Sequence, residues 1–241
     1  MKSRELCKTG IKALDDILNG GIPRGYTILL AGSSGTGKTI LTQEILLRGA
    51  KIYEENGIYI SLSESPKKML ANMENFNYYD SGLIRSGKVK VVELKEEAGL
   101  RRRRNPGDPD EILRTIRTLV EENNAKRLVI DSITSICRSL KDEEVIREFI
   151  INLADNLDIL GCTSILVSEI PPREITYSVF GIEEFVSDGI FLLGEFERKG
   201  DLLRTFQIIK MRGVDHPRYK EIMHITRDGI NLIPMFKTYG E

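Results

Sequence analysis

The eight residues Gly32-Ser33-Ser34-Gly35-Thr36-Gly37-Lys38-Thr39 fit the spacing G-x-x-x-x-G-K-[ST], and their flanks fit it as well. The apolar run "YTILLAG" leads in as a buried strand, and Ile40, Leu41, Ile45 and Leu46 follow at helical spacing. A strand, a glycine-rich loop and a helix in that order commit the chain to an α/β unit. The glycines let backbone N–H groups curl around an anion, and the helix that starts there points its positive end at it. That chemistry fits the phosphates of ATP. The expected nucleotide-binding residues are Ser33, Ser34, Gly35, Thr36, Gly37, Lys38, Thr39 and Ile40. Lys38 is placed to reach the β- and γ-phosphates, and the Thr39 hydroxyl is an expected ligand of Mg²⁺.

The remaining pattern builds a sheet around this unit. "GIYISL", "KVKVVEL", "RLVID", "TSILVS" and "GIFLL" read as strands separated by helical patterns. Ile11, Leu14, Ile17 and Leu18 mark an early helix, and Pro66 stands in the first turn of another. Asp108-Pro109-Asp110-Glu111 has the form of a capping box opening a helix through Ile112, Ile116 and Leu119. Asp142 is expected to cap a longer helix whose apolar stripe includes Val145, Phe149, Leu153 and Leu157. After that the helices stop: "LLRTFQIIKMR", "EIMHIT" and "GINLIP" read as strands joined by polar turns. The expected fold is α/β, a mostly parallel sheet flanked by helices, with antiparallel strands at the C-terminal end. Residues 1–241 are read as one domain, with 95–109 as a mobile Arg-rich loop. Asp131 ends the buried strand "RLVID" and supplies the acid expected in the Mg²⁺ shell.

Charge and cysteine usage narrow the function classes. Lys plus Arg number 35 against 36 Asp plus Glu, so no global field draws the chain to nucleic acid or membranes. Cys7, Cys137 and Cys162 are far apart and lack metal spacing, which suits reduced thiols in the cytoplasm. There is no run of ~18 apolar residues and no signal-peptide core. Arg101–Arg104 read as a solvated loop. The alternative is a contact with nucleic acid or an acidic partner, although no aromatics are interleaved for base stacking. His224, in an expected strand, reads as structural.

The segments "TGIKALDDILNGGIPRG", "GSSGTGKT", "VIDSIT", "GIEEFVSDGIFLL", "KMRGVDH" and "ITRDGINLIP" occur in order across nearly the whole chain. Together they resemble the KaiC-like branch of the RecA superfamily in its single-domain, archaeal-type form. The resemblance implies a RecA-like P-loop core, ATP bound between neighbouring subunits and a six-membered ring. Lys210 and Arg212 of "KMRG" stand two apart on an expected strand and project from one face. In relatives the matching pair reaches the γ-phosphate held by the adjacent subunit, an arginine-finger arrangement supplied in trans. His216 matches a family position near the nucleotide. Glu169 matches a position that senses or orients near the γ-phosphate, with a plain surface acid as the alternative.

The chain departs from the family where the attacking water is oriented. Relatives often carry Glu-Glu-x-Pro there, whereas "SLSESP" places Ser63 at the first position and Glu64 at the second. A serine cannot take a proton from water as a carboxylate can. Two roles are open for Glu64: the catalytic base, or a cap for the helix at Pro66. The phosphorylating half of clock KaiC has a Ser-Thr pair where this chain has Glu184 and Phe185, so self-phosphorylation at that site is excluded. The expectation is a slow Mg²⁺-dependent ATPase in a homohexameric ring, cytoplasmic, with a regulatory role and an unidentified protein partner. The alternatives are an ATP-dependent scaffold that does not hydrolyse, or a RecA-like nucleic-acid-binding ATPase.

Overall fold

The structure is a computed structural model, which describes residues 5–97, 108–172 and 176–235. A short antiparallel pair, β1 (Leu6–Cys7) and β2 (Ile22–Pro23), brackets helix α1 (Lys12–Ile17). Then come β3 (Thr27–Gly32), α2 (Lys38–Ile52), β4 (Gly57–Ser61), α3 (Pro66–Met73), α4 (Ser81–Arg85), β5 (Val89–Glu93) and α5 (Leu94–Glu97). The middle of the chain forms α6 (Pro109–Glu122), β6 (Arg127–Asp131), α7 (Ile133–Leu140), α8 (Glu143–Leu160), β7 (Thr163–Glu169) and α9 (Glu183–Val186). Four strands finish it: β8 (Gly189–Arg198), β9 (Asp201–Met211), β10 (Glu221–Thr226) and β11 (Gly229–Pro234). They assemble into a nine-stranded sheet ordered β11-β10-β9-β8-β3-β7-β6-β4-β5. From β8 to β5 all neighbours are parallel, and β9, β10 and β11 run antiparallel to their neighbours.

Residue alternation sends the central strands' side chains into two cores. Ile28, Leu30, Tyr59, Val129, Ile165 and Val167 pack on the face covered by α1 and α2. Leu29, Ile58, Ile60, Leu128, Ile130 and Leu166 pack on the other face, under α6, α7 and α8. Both faces of the parallel strands are therefore buried, as crossover helices require.

The expected caps form: Asp108 accepts from the Asp110 N–H (3.2 Å), and Asp142 from the Glu144 and Val145 N–H groups (3.0 Å each). In α8 the buried stripe runs through Ile146, Phe149, Ile150, Leu153 and Leu157, leaving Val145 half-buried. Helix α7 was not foreseen. Ser132 caps it by accepting from the Ser135 N–H, and its β-branched Ile133, Thr134 and Ile136 blur the helical signal. The first part of the segment read as a mobile loop is helical, in α5, and α6 begins at Pro109. Arg101–Arg104 lie outside the described residues.

One buried ion cluster ties the start of the chain to the sheet. Arg127 is 2% exposed; its Nε donates to Glu55 (2.7 Å), and its Nη atoms donate to the carbonyls of Ile45 (3.1 Å) and Lys8 (2.7 Å). Arg24 donates to the other oxygen of Glu55. Burial pushes the Glu55 carboxyl upward, but Arg24 and Arg127 together hold it below the ordinary Glu range. Glu55→Gln leaves Arg127 buried without its counter-charge, a change that typically costs about 3–5 kcal/mol. Because the folded pKa is depressed, the stabilisation is present above the unfolded value, about 4.3, and is lost as pH falls through the folded one. Urea melts at a series of pH values are expected to show the loss in the variant near neutrality and a flatter acid limb.

Candidate functional site

Six consecutive buried residues carry β3 to Gly32, after which the chain leaves the sheet as a loop and returns as α2. Gly37 takes the N-cap position at φ +98°, a left-handed conformation that glycine adopts without strain. No side chain caps α2, so its first N–H groups face the loop's concavity. The Thr36 hydroxyl donates to the Ser33 carbonyl (2.8 Å), pinning the curl. From the antiparallel strands, Arg204 Nε donates to the Gly35 carbonyl (3.1 Å), while Met223 and Ile225 pack against Gly37.

Lys38 is 7% exposed, and its Nζ donates to the carbonyls of Gly32 and Ser33, each at 2.8 Å. Burial pulls its pKa down, opposed by the charges of Glu169 and Asp131. Alternation along β6 turns Asp131 to the α2 side of the sheet, where its Oδ2 accepts from Thr39 Oγ1 (3.1 Å) and from the Tyr59 hydroxyl (2.5 Å). Burial first, then Asp131, holds the Tyr59 phenol far above its ordinary value, so it stays a donor. A hydroxyl and a carboxylate side by side are the hard oxygen donors that Mg²⁺ takes. The uncapped helix start, the left-handed glycine and the ammonium make the matching cradle for phosphate.

The other expected site residues fall into two places. Ser33, Ser34, Gly35, Thr36 and Ile40 belong to the loop and first helical turn, and Glu169 ends β7 beside Gly32 in register. Ser63 is exposed just beyond β4. The N-cap of α3 is Ser65, so Glu64 does not take the capping role; its carboxylate accepts from Asn72 (3.2 Å) and lies 3.5 Å from Lys68 Nζ.

Lys210, Arg212 and His216 stand elsewhere. Gly189 pairs with Ile28 on one side and Met211 on the other, whereas the phosphate loop leaves from Gly32, which pairs with Leu193. The cations therefore sit where β3 begins and the loop sits where it ends, about 13 Å apart at ~3.3 Å per residue. Lys210 Nζ donates to the carbonyls of Glu184 (2.9 Å) and Ser187 (2.7 Å). Arg212 donates to the Phe185 carbonyl (2.8 Å) and the Asp188 carboxylate (3.2 Å), and its side chain is 51% exposed. A register shift at Ile190 and Phe191 lets Ile208 and Lys210 face consecutive partners, which brings both cations to one carbonyl ledge. Burial, then the neighbouring Arg212, lowers the Lys210 pKa. Half-buried His216 lies on the following loop, its Nδ1 3.1 Å from the Pro217 carbonyl. Arg204 and Tyr59 went unnoticed in the sequence, because each looks like an ordinary strand residue and acquires its role through register.

A mostly parallel sheet with this loop at the end of β3 defines a RecA-like P-loop fold. The sequence matches the KaiC ATPase family over residues 7–236, and the chain belongs to that family. It is 32% identical to the circadian clock oscillator protein KaiC of a Picosynechococcus species over 98% of its length, and 31% identical to that of a Nostoc species over 96%. It spans 46% and 44% of those two proteins, about half their length. Among solved structures it is similar to a KaiC-like protein from the hyperthermophilic archaeon Pyrococcus horikoshii OT3. The TM-score is 0.85 at 35% identity, covering 96% of this chain and all of that one.

Proposed function

We propose that the protein is a slow Mg²⁺-dependent ATPase that holds ATP between neighbouring copies, in a hexameric ring with a regulatory role in the cytoplasm. The observation that carries this reading is the separation of the two cationic groups. Lys38 gathers at the end of β3, whereas Lys210 and Arg212 gather about 13 Å away at its start. An arginine side chain does not span that gap within one chain, and a second copy can bring its ledge to the first copy's loop. In this reading Lys38 and the loop N–H groups bind the phosphates, and Thr39 and Asp131 would hold Mg²⁺. The bound ion would supply counter-charge to the phosphate oxygens. Lys210 has used two of its three N–H donors on the ledge, so it reaches the neighbour's phosphate already oriented. Glu169 and His216 line the two sides of the same cleft.

Slowness follows from the water-orienting position. Ser63 cannot serve as a base, and Glu64 must leave Asn72 and Lys68 to do so. Glu64→Gln is expected to lower phosphate release about 10²-fold, within the usual range for a general base, and to leave ATP binding unchanged. An unchanged rate removes Glu64 from the mechanism. The exposed Ser63 favours a second reading, an ATP-dependent scaffold without turnover. No phosphate release by the wild type, at any assembly state, selects the scaffold.

A further inference from the structure

Tyr59 lies in the middle of β4 between Ile58 and Ile60, and alternation turns it under the first turns of α2 while they enter the opposite core. It is fully buried. A buried phenol hydroxyl is unfavourable unless paired, and its one proton goes to Asp131 Oδ2 (2.5 Å). The Thr42 hydroxyl donates to the α2 carbonyls of Lys38 (3.1 Å) and Thr39 (3.0 Å) and, at a longer 3.4 Å, to the phenol oxygen. Thr42 therefore faces the phenol oxygen as a long, shared donor, and the phenol's own proton is committed to Asp131 Oδ2. Thr39 donates to the same oxygen (3.1 Å). Among the described residues, the hydrogen bonds to the Asp131 side chain all fall on Oδ2, which leaves Oδ1 as the oxygen available to a metal ion.

We propose that Tyr59 is a positioning residue for the metal site: it clamps Asp131 from beneath and thereby sets how much Mg²⁺ the protein needs to hold a nucleotide. The assignment rests on the reading of Thr39 and Asp131 as the Mg²⁺ holders. A hydrogen bond from a hydroxyl to a carboxylate is among the stronger kinds, and outer partners of this sort tune metal affinity by ~10–100-fold. Phenylalanine at 59 keeps the ring's packing and removes only the donor, leaving Thr39 alone to orient the carboxylate.

The test is ATP binding titrated with Mg²⁺ for wild type and Tyr59→Phe, each first checked for a cooperative thermal melt. The variant is expected to need ~10-fold more Mg²⁺ for half-saturation, to reach the wild-type plateau at high Mg²⁺, and to bind Mg²⁺-free ATP as the wild type does. A merely structural hydroxyl would alter the melt and leave the Mg²⁺ midpoint where it was, and that result overturns the assignment. If wild-type binding is itself indifferent to Mg²⁺, the metal reading falls and Tyr59's role falls with it; an unmoved midpoint in a Mg²⁺-dependent protein removes Tyr59 alone. Should Tyr59→Phe not fold, the wild type is read by NMR. The shielded phenol proton shifts on adding Mg²⁺ to the ATP-loaded protein if Tyr59 supports the site, and an unmoved resonance counts against it.

Discussion

Lys38→Met is expected to weaken ATP binding by at least ~100-fold while leaving the fold in place. Lys38 is the single ammonium inside the loop, buried against Gly32 and Ser33 and lowered in pKa by that burial. Once phosphate enters, the same donors make charge-assisted bonds, each worth about 1.5–3 kcal/mol. Two such bonds correspond to about two to four decades in affinity at ~1.4 kcal/mol per decade. Methionine fills most of the volume, and both carbonyls keep a donor, Gly32 from the Ile170 N–H (3.3 Å) and Ser33 from the Thr36 hydroxyl (2.8 Å), so the melting temperature is expected to move by only a few degrees. Titration with a fluorescent ATP analogue, beside a thermal melt, checks both parts. Near-normal affinity would mean that the backbone cradle alone binds the ligand.

Removing the distant cations is expected to have the opposite signature. Lys210→Ala and Arg212→Ala leave the loop, Thr39 and Asp131 untouched, so a single copy keeps its grip on the nucleotide. Turnover, in contrast, is expected to drop ~10³-fold or more, the range for an arginine finger supplied by a neighbour. The ledge that holds these side chains makes the prediction specific. Lys210 and Arg212 bond to carbonyls and a carboxylate within 184–188, at the end of the sheet where β3 starts. If they only anchored α9, the variants would melt at lower temperature and hydrolyse ATP at the normal rate. Phosphate release measured per ATP bound separates the two outcomes.

Local chemistry made much of this legible before any coordinates. The loop between β3 and α2 is written in consecutive residues, and the Asp108 and Asp142 caps act over two or three positions. The antiparallel finish announced itself by the absence of helical periodicity after Gly189. What stayed hidden depends on register and on partners far along the chain. Glu55 and Arg127 are 72 positions apart, as are Tyr59 and Asp131. Glu44, fully buried, accepts from the Ile230 N–H across 186 positions. Nothing in "GIYISL" distinguishes Tyr59 from a core aromatic, because its meaning arises only when β4 lies beside β6 and under α2. Glu64 was ambiguous for a related reason: its contacts with Lys68 and Asn72 require α3 to be built before they exist.

A cleft completed by two copies has a direct test in particle mass. Lys38→Ala retains the ledge and loses the phosphate grip, whereas the double variant Lys210→Ala/Arg212→Ala retains the grip and loses the ledge. With Mg²⁺ and ATP, each alone is expected to remain at the single-chain mass of 27.3 kDa. Mixed in equal amounts, they are expected to form pairs of twice that mass, because one intact cleft can assemble from the two halves. A mixture that stays monomeric while the wild type assembles, or variants that each assemble unaided, would contradict the shared site.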